Sequence, residues 1–581
     1  MSSTHSSQPT SVISDASRHT RRQFFAQSAL LAAGSAAVAA EPARSAVTAE
    51  RRPNVLLIMT DDHGYGDLGC YGNPHLKTPN IDRLHAESTR LTQHHHSPVC
   101  TPTRASLMTG RYNYRTCAID TFRGRAMMHP GETTIAEIFA ASGYKTGIFG
   151  KWHLGDCFPM RACDKGFQES LVLRGGGLSQ PADFPGGEGY FNPILLRDGV
   201  PERRDGYCAD IFANEAIAFL ERHKDEPFFL YVPTNAPHTP LEVEDRYAEP
   251  YRKLGLDDRI AKFYGMVANI DENVGRIMDA LDRLGLRDNT IVLFMTDNGA
   301  QMPAEALRFN AGMRGQKATV YEGGIRVPCF VRWPEKISAG KDVERLTAHI
   351  DIAPTLLDLC GVPAPDTVRF DGRSAAPLLT DDNADWPDRT LFFQWHRGDA
   401  PEPYNNCCAL THQYKLVNGV ELYDLQSDLA EENDIATQNP EVVTRLRKEY
   451  EAWFEDVSAT RGYAPPEIVV GHERGGPTYL TLQDQRAGEG GGYGANGFWK
   501  TRIARAGTYD VTLRFAQEVN SGTAHVQIGG TRASAPIAEG AEFTIINGVK
   551  LHDGPASVRA WANNPDPANG ARYVDIVHVD A

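Results

Sequence analysis

Four short apolar runs, each ending on residues that carry chemistry, constrain the fold of this chain more than any other feature. "NVLLIM" at 54–59 leads to Asp61-Asp62, and "TGIF" at 146–149 leads to "GKWHLG" with Lys151 and His153. "FFLYV" at 228–232 leads to "NAPHTP" with His238, and "TIVLFM" at 290–295 leads to Asp297-Asn298-Gly299. Apolar runs of this length without polar alternation read as strands buried on both faces, and therefore parallel. Helical patterns lie between them. Thr134 and Glu137 have capping-box spacing. Ile260, Phe263, Val267, Ile270, Val274, Ile277, Leu281 and Leu284 recur at alternating threes and fours before Gly285. That spacing also suits a coiled coil, but within a strand–helix alternation it predicts an amphipathic helix lying on a sheet. The fold class is α/β.

Ligands of open α/β sheets bind beyond the carboxyl ends of the strands. Here four strand ends bring three carboxylates, an amide, two imidazoles and an ammonium to one edge. Taken singly, "DD" and "DNG" are turn chemistry, and a lone histidine is more often structural. Their joint occurrence points to a site. Asp61, Asp62, Asp297 and Asn298 offer only oxygen ligands, which favours calcium or magnesium over zinc. Lys151, His153 and His238, with Lys317 of "RGQKATVYEGGIRVP", would then face an anion. A hard cation with such neighbours describes a site for sulfuryl or phosphoryl transfer.

In "SPVCTPTRASLMTGR" at 97–111, Thr101 reads as an N-cap and Pro102 as the first helical residue. Cys100 then sits at a helix N-terminus, where free amides and the dipole favour an anion. An unmodified thiolate matches a hard cation poorly, whereas a hydroxyl-bearing group matches it well.

Cys100, Pro102 and Arg104 form a Cys-x-Pro-x-Arg pattern continued by "ASLMTGR", and "GKWHLG", "APHTP", "TDNG" and "YEGGIRVP" follow in order. Over roughly residues 52–460 the chain resembles the formylglycine-dependent sulfatases of the alkaline phosphatase superfamily. The resemblance implies a large mixed, mostly parallel sheet flanked by helices. "HIDIAPTLLDLCGV" and "ELYDLQSDLAEENDIA" would belong to a small C-terminal antiparallel subdomain with its closing helix. It implies that a formylglycine-generating enzyme oxidises Cys100 to formylglycine, whose hydrate is the nucleophile. Calcium, with magnesium the alternative, would be held by Asp61, Asp62, Asp297, Asn298 and residue 100. Lys151 and Lys317 would hold sulfate oxygens, and Arg104 would orient the hydrate. His238 would protonate the leaving oxygen, and His153 would assist the second hydroxyl in expelling sulfate.

The implied activity is hydrolysis of sulfate esters, on a sulfated saccharide or an aryl sulfate. A formylglycine-dependent phosphonate monoester or phosphodiester hydrolase is the rival enzyme on the same scaffold. A non-catalytic sulfoglycan-binding protein follows if Cys100 stays unmodified, and a two-zinc phosphatase would need a richer histidine set. His94 and His96, in "HHH" before the nucleophile loop, are candidates for the substrate wall or for a solvated turn. Arg174, in the glycine-rich insert at 156–205, is a candidate substrate contact, with a surface arginine as the default.

The chain divides into a signal peptide (1–46), a catalytic domain (50–385), a small subdomain (386–462) and an accessory domain (466–581). "TRRQFFAQSALLAAGSAAVAA" resembles a twin-arginine signal, which implies the Tat machinery as a partner and a periplasmic or secreted protein. Its apolar run is short and rich in Ala and Gly, so no membrane anchor is expected in the mature form. The net charge of -15 opposes nucleic-acid binding. In an oxidising compartment some of the ten cysteines, for example Cys157 and Cys163, are candidates to pair. One of Cys407-Cys408 is expected to be a buried small hydrophobe. After "PP" at 465–466, alternating runs such as "TYDVTLRF" and "YVDIVHV" read as a β-sandwich. Trp499 and Trp561 there either stack on sugar rings or pack in the core, packing being the default.

Overall fold

The computed structural model describes residues 51–302, 308–488, 494–519, 521–563 and 569–579. The twin-arginine stretch lies outside the described residues. The four apolar runs become neighbours in one ten-stranded sheet. Thr290–Thr296, Asn54–Thr60, Phe228–Pro233, Lys145–Lys151 and Glu169–Leu173 lie side by side and parallel, with Val55 level with both Ile291 and Phe229. Antiparallel pairing begins outside them, at Cys329–Arg332 on one side and Ile194–Arg197 on the other.

Alternate side chains of the central strand enter different cores, as the two-residue period of a strand requires. Val55, Leu57 and Met59 pack with Ala105, Leu107 and Met108 of the helix Cys100–Thr109. Leu56 and Ile58 pack with Ile270, Val274 and Ile277 of the helix Asp258–Arg283. That helix is one amphipathic rod on the sheet, as its spacing predicts, and Asp257 caps its start. The Thr134–Glu137 capping box is formed in both directions. The start of the helix Cys100–Thr109 differs from expectation. Val99 is the N-cap and Cys100 the first helical residue, because the Thr101 hydroxyl donates instead to the His153 carbonyl (3.3 Å).

The strands Leu391–Gln394, Cys407–Leu410, Tyr414–Val417 and Glu421–Asp424 form a separate antiparallel sheet. The helix Pro440–Ala459 closes it with Leu446, Tyr450, Trp453 and Val457. "HIDIAPTLLDLCGV" does not belong to it: its helix Ile352–Leu359 packs in the core of the main sheet with Leu57 and Ala105. Cys407 and Cys408 are both buried. No disulfide joins Cys157 to Cys163, and none of the ten cysteines is in a disulfide. Cys157 instead donates to the Tyr479 carbonyl (3.4 Å).

From Ile468 onward a five-stranded and a four-stranded sheet make a sandwich. Trp499 is fully buried, with its indole N–H on the Thr481 carbonyl, and Trp561 is 6 % exposed, so both are core residues. The sandwich core also includes Met127, Cys157 and Met160, far earlier in the chain. Among the described residues, no helix is long and apolar enough to cross a membrane.

Candidate active site

The strand ends converge as the topology demands. Asp61 and Asp62 leave the strand Asn54–Thr60, and Asp297 and Asn298 leave its parallel neighbour Thr290–Thr296; all four side chains are buried. The chain turns at Asp62 with φ +61°, so adjacent carboxylates meet different partners. Lys151 donates to Asp61 Oδ2 (2.7 Å), while Lys317 donates to Asp62 Oδ2 (2.7 Å) and Asn298 to Asp62 Oδ1 (2.8 Å). Arg104 reaches back from the helix to Asp297 Oδ2 (2.9 Å) and the Lys151 carbonyl (2.8 Å). His238 Nε2 stands 3.4 Å from Asp62 Oδ2, and its Nδ1–H donates to the Thr239 carbonyl (2.7 Å).

These charges are unevenly satisfied. Ligand atoms of Asp61, Cys100 and Asp297 lie within 4.8 Å of one another. Asp61 Oδ1 and Asn298 Oδ1 are buried without a hydrogen-bond partner. Buried acceptors in that state are costly unless a cation takes up their lone pairs. Burial, and then the nearby Asp61 carboxylate, raises the Asp297 carboxyl above its ordinary range. The donor set therefore fits a hard divalent cation.

Burial pushes the Cys100 thiol up, against the pull of Lys151 and Lys317, so an unmodified thiol here stays protonated. Burial, Lys151 and Arg104 hold His153 well below the usual imidazole range. Burial also takes His238 down to about 3, although the Asp62 carboxylate opposes it. Asp62 itself is held below the ordinary carboxylate range; burial works against this, and Lys317 and His238 outweigh it.

A cavity of about 260 Å³ opens over this cluster, with Cys100, His153, His238 and Lys317 in its wall. A larger groove of about 1170 Å³ runs beside the closing helix, past Arg115, Arg389 and Trp453, but none of these catalytic candidates lines it.

Residues 53–362, over half of the chain, match the family described as Sulfatase. The chain belongs to the sulfatase family. Residues 315–456 of this sulfatase also match "N-sulphoglucosamine sulphohydrolase, C-terminal". It is 35% identical over 390 residues to arylsulfatase A of Homo sapiens, covering 59% of this chain and 70% of that protein. It is 30% identical over 482 residues to N-acetylgalactosamine-6-O-sulfatase of Bacteroides thetaiotaomicron, covering 68% of this chain and 92% of that one. The solved structure of Ps i-CgsB in complex with k-i-k-neocarrahexaose is 28% identical, with a TM-score of 0.64 over 71% of this chain and 95% of that one. The fold is alkaline phosphatase-like, and the sulfatase is a sulfuric ester hydrolase.

Three sequence expectations are corrected. His94 and His96 do not line the cavity of this sulfatase. The bridge between His94–His95 and Thr347–Ala348 draws them inside, where their Nε2 atoms meet (2.9 Å) and His96 stacks on His349 behind Asp297. Arg174 is neither a surface residue nor a cavity contact. It is 2 % exposed, stacked over Phe184 (3.7 Å) and facing Tyr573 of the sandwich (5.3 Å). The glycine-rich insert does reach the cavity, but through Gly176, Gln180 and Pro181.

Sequence reading missed Gln180, Arg397 and Gln483 in the cavity wall. They lie in loops with no motif. Gln483 stands beyond both family matches, so only the folded chain reveals it.

Proposed function

We propose that this protein hydrolyses sulfate esters of saccharides after export by the twin-arginine route, with formylglycine at position 100. The observation that carries the reading is the approach of Asp61, Cys100 and Asp297 ligand atoms within 4.8 Å, with Lys317 and His238 beside them. Calcium, or magnesium in its place, would be held by Asp61, Asp62, Asp297, Asn298 and residue 100, and would supply Lewis-acid polarisation. Formylglycine, made from Cys100 by a formylglycine-generating enzyme, would supply a hydrated aldehyde with two hydroxyls, one to attack sulfur and one to expel sulfate.

The remaining roles would fall to side chains around that cluster. Lys317 and Lys151 neutralise the transferring group, and Arg104, bonded to Asp297, would orient the hydrate at residue 100. The bond from His238 Nδ1 to Thr239 leaves Nε2 to give a proton to the departing ester oxygen. The negative charge of an arriving sulfate ester favours the protonated imidazole. His153, held neutral, takes the proton of the second hydroxyl. The saccharide preference rests on the relatives and on the proposed export. Aryl sulfates remain substrates, because a good leaving group needs less help from an acid.

Initial rates on matched sulfate and phosphate esters, with calcium supplied, test the reading. Faster sulfate release is expected. Faster phosphate turnover would assign the chain to the phosphonate or phosphodiester hydrolases instead. No turnover of either by protein carrying formylglycine would favour a sulfoglycan-binding role.

A further inference from the structure

Gln483 lies between the sandwich strands Thr478–Thr481 and Trp499–Ile503, yet it stands in the wall of the catalytic cavity. Its side chain is buried, and its amide nitrogen donates to the Thr121 carbonyl at 2.6 Å. The same carbonyl lies 3.1 Å from His153 Nε2. In the bond to that carbonyl Nε2–H donates and Nδ1 is left bare. In the opposite tautomer Nε2 would instead accept from the Gln483 amide, so Gln483 and Thr121 together hold this edge of the ring in either state. Nδ1 is buried without a hydrogen-bond partner. The Gln483 amide also rests 3.2 Å from Nε2, and Gly176 closes the other side so tightly that a Cβ there would lie 2.8 Å from the ring.

The loop that carries Gln483 is fixed to the catalytic body. Gly124 N–H donates to the Gln483 carbonyl (2.8 Å), and Arg486 reaches the Arg123 carbonyl (2.6 Å). Met127, Cys157 and Met160 share the core of the sandwich. We propose that Gln483 is a positioning residue for His153, through the Thr121 carbonyl, so that the sandwich completes the active site rather than serving as a detached binding module. The proposal rests on the reading of His153 as the base that lets sulfate leave. Without the amide, Thr121 and the imidazole lose their shared restraint. The proton of the second hydroxyl then finds its acceptor less often, while attack on the ester and release of the alcohol proceed as before.

The test uses the full chain, with formylglycine verified by mass, and stopped-flow release of 4-nitrophenol from 4-nitrophenyl sulfate. Gln483→Leu and Gln483→Glu are expected to keep a first turnover at the wild-type rate. Their steady-state kcat should fall about 10- to 100-fold, with KM falling in parallel and kcat/KM unchanged. Gln485→Leu is the control. It breaks bonds to Gly494 inside the sandwich and is expected to lower the melting temperature without producing a burst. An unchanged kcat in both Gln483 variants would overturn the proposal. So would an equal loss of kcat and kcat/KM, which would mark a general distortion. Failure of the underlying reading shows separately, as a wild-type protein that bears formylglycine and releases no nitrophenol, and it would remove both.

Discussion

Asp61 and Asp62 are adjacent in sequence, yet a single positive φ at Asp62 turns one carboxylate to Lys151 and the other to Lys317. Residue chemistry at this scale was legible before the fold was known: Asp61, Asp62, Lys151, His153, His238, Asp297 and Asn298 each follow an apolar run closely enough to fall at its carboxyl end, while Cys100, Arg104 and Lys317 were legible from their motifs. What was not legible is which candidates share the cavity: His96 and Arg174 look equally available in one dimension and are both interior. Lys317→Ala is expected to lower kcat/KM for sulfate esters about 10²- to 10³-fold, the loss typical of one preorganised charge stabiliser. Steady-state kinetics with calcium in excess checks this, and a loss below threefold would remove Lys317 from the site. His238→Asn is expected to cost about 10²- to 10⁴-fold on sugar sulfates and much less on 4-nitrophenyl sulfate. An equal loss on both substrates would contradict the proposed acid role of His238.

Elements place these groups, and small residues permit the placement. Gly299 follows the Asp297-Asn298 pair, and a Cβ there would stand 1.9 Å from the Gly323 carbonyl oxygen. Gly299→Ala is therefore expected to lower stability by about 1–3 kcal/mol and to lower activity with it. Thermal unfolding measures the first, and a wild-type melting temperature would show that the backbone yields without cost. The loop from Thr481 to Arg486 has a different vulnerability. Burial, reinforced by Asp156 and opposed by Arg174, pushes the Asp484 carboxyl up to about 8. Burial likewise raises Asp156, which Arg174 opposes, to about 6. The folded state thus keeps protons that an unfolded chain releases above about pH 4. Stability contributed by this pair is present at low pH and is lost as pH rises from about 4 towards 8. Melting temperature against pH should show that decline, and Asp484→Asn should make it shallower. Equal slopes in both proteins would contradict the burial argument. The sequence offered no signal for this cluster, since its members, Asp156, Arg174 and Asp484, come from three separate loops.

At the scale of the whole molecule, the α/β body was readable from strand–helix alternation, and the sandwich from its two-residue alternation. Their joining was not, because Met127 and Met160 read as ordinary apolar residues, and Cys157 as a candidate to pair with Cys163, until the sandwich core closes over them. A chain ending at residue 465 would expose both methionines, at roughly 1.5–3 kcal/mol each, and leave Arg174 without Tyr573. Such a truncation is expected to be aggregation-prone or sharply destabilised, and a soluble truncation with full activity would contradict the shared core. The central claim concerns position 100, where motif, helix start, cation site and cavity meet. Its most direct test is the mass of the tryptic peptide Leu91–Arg104 from protein made with its own maturation system. Formylglycine in place of cysteine is the expected result. Unmodified cysteine throughout that peptide, in cells shown to carry the modifying enzyme, would leave the cavity without its nucleophile and contradict the account.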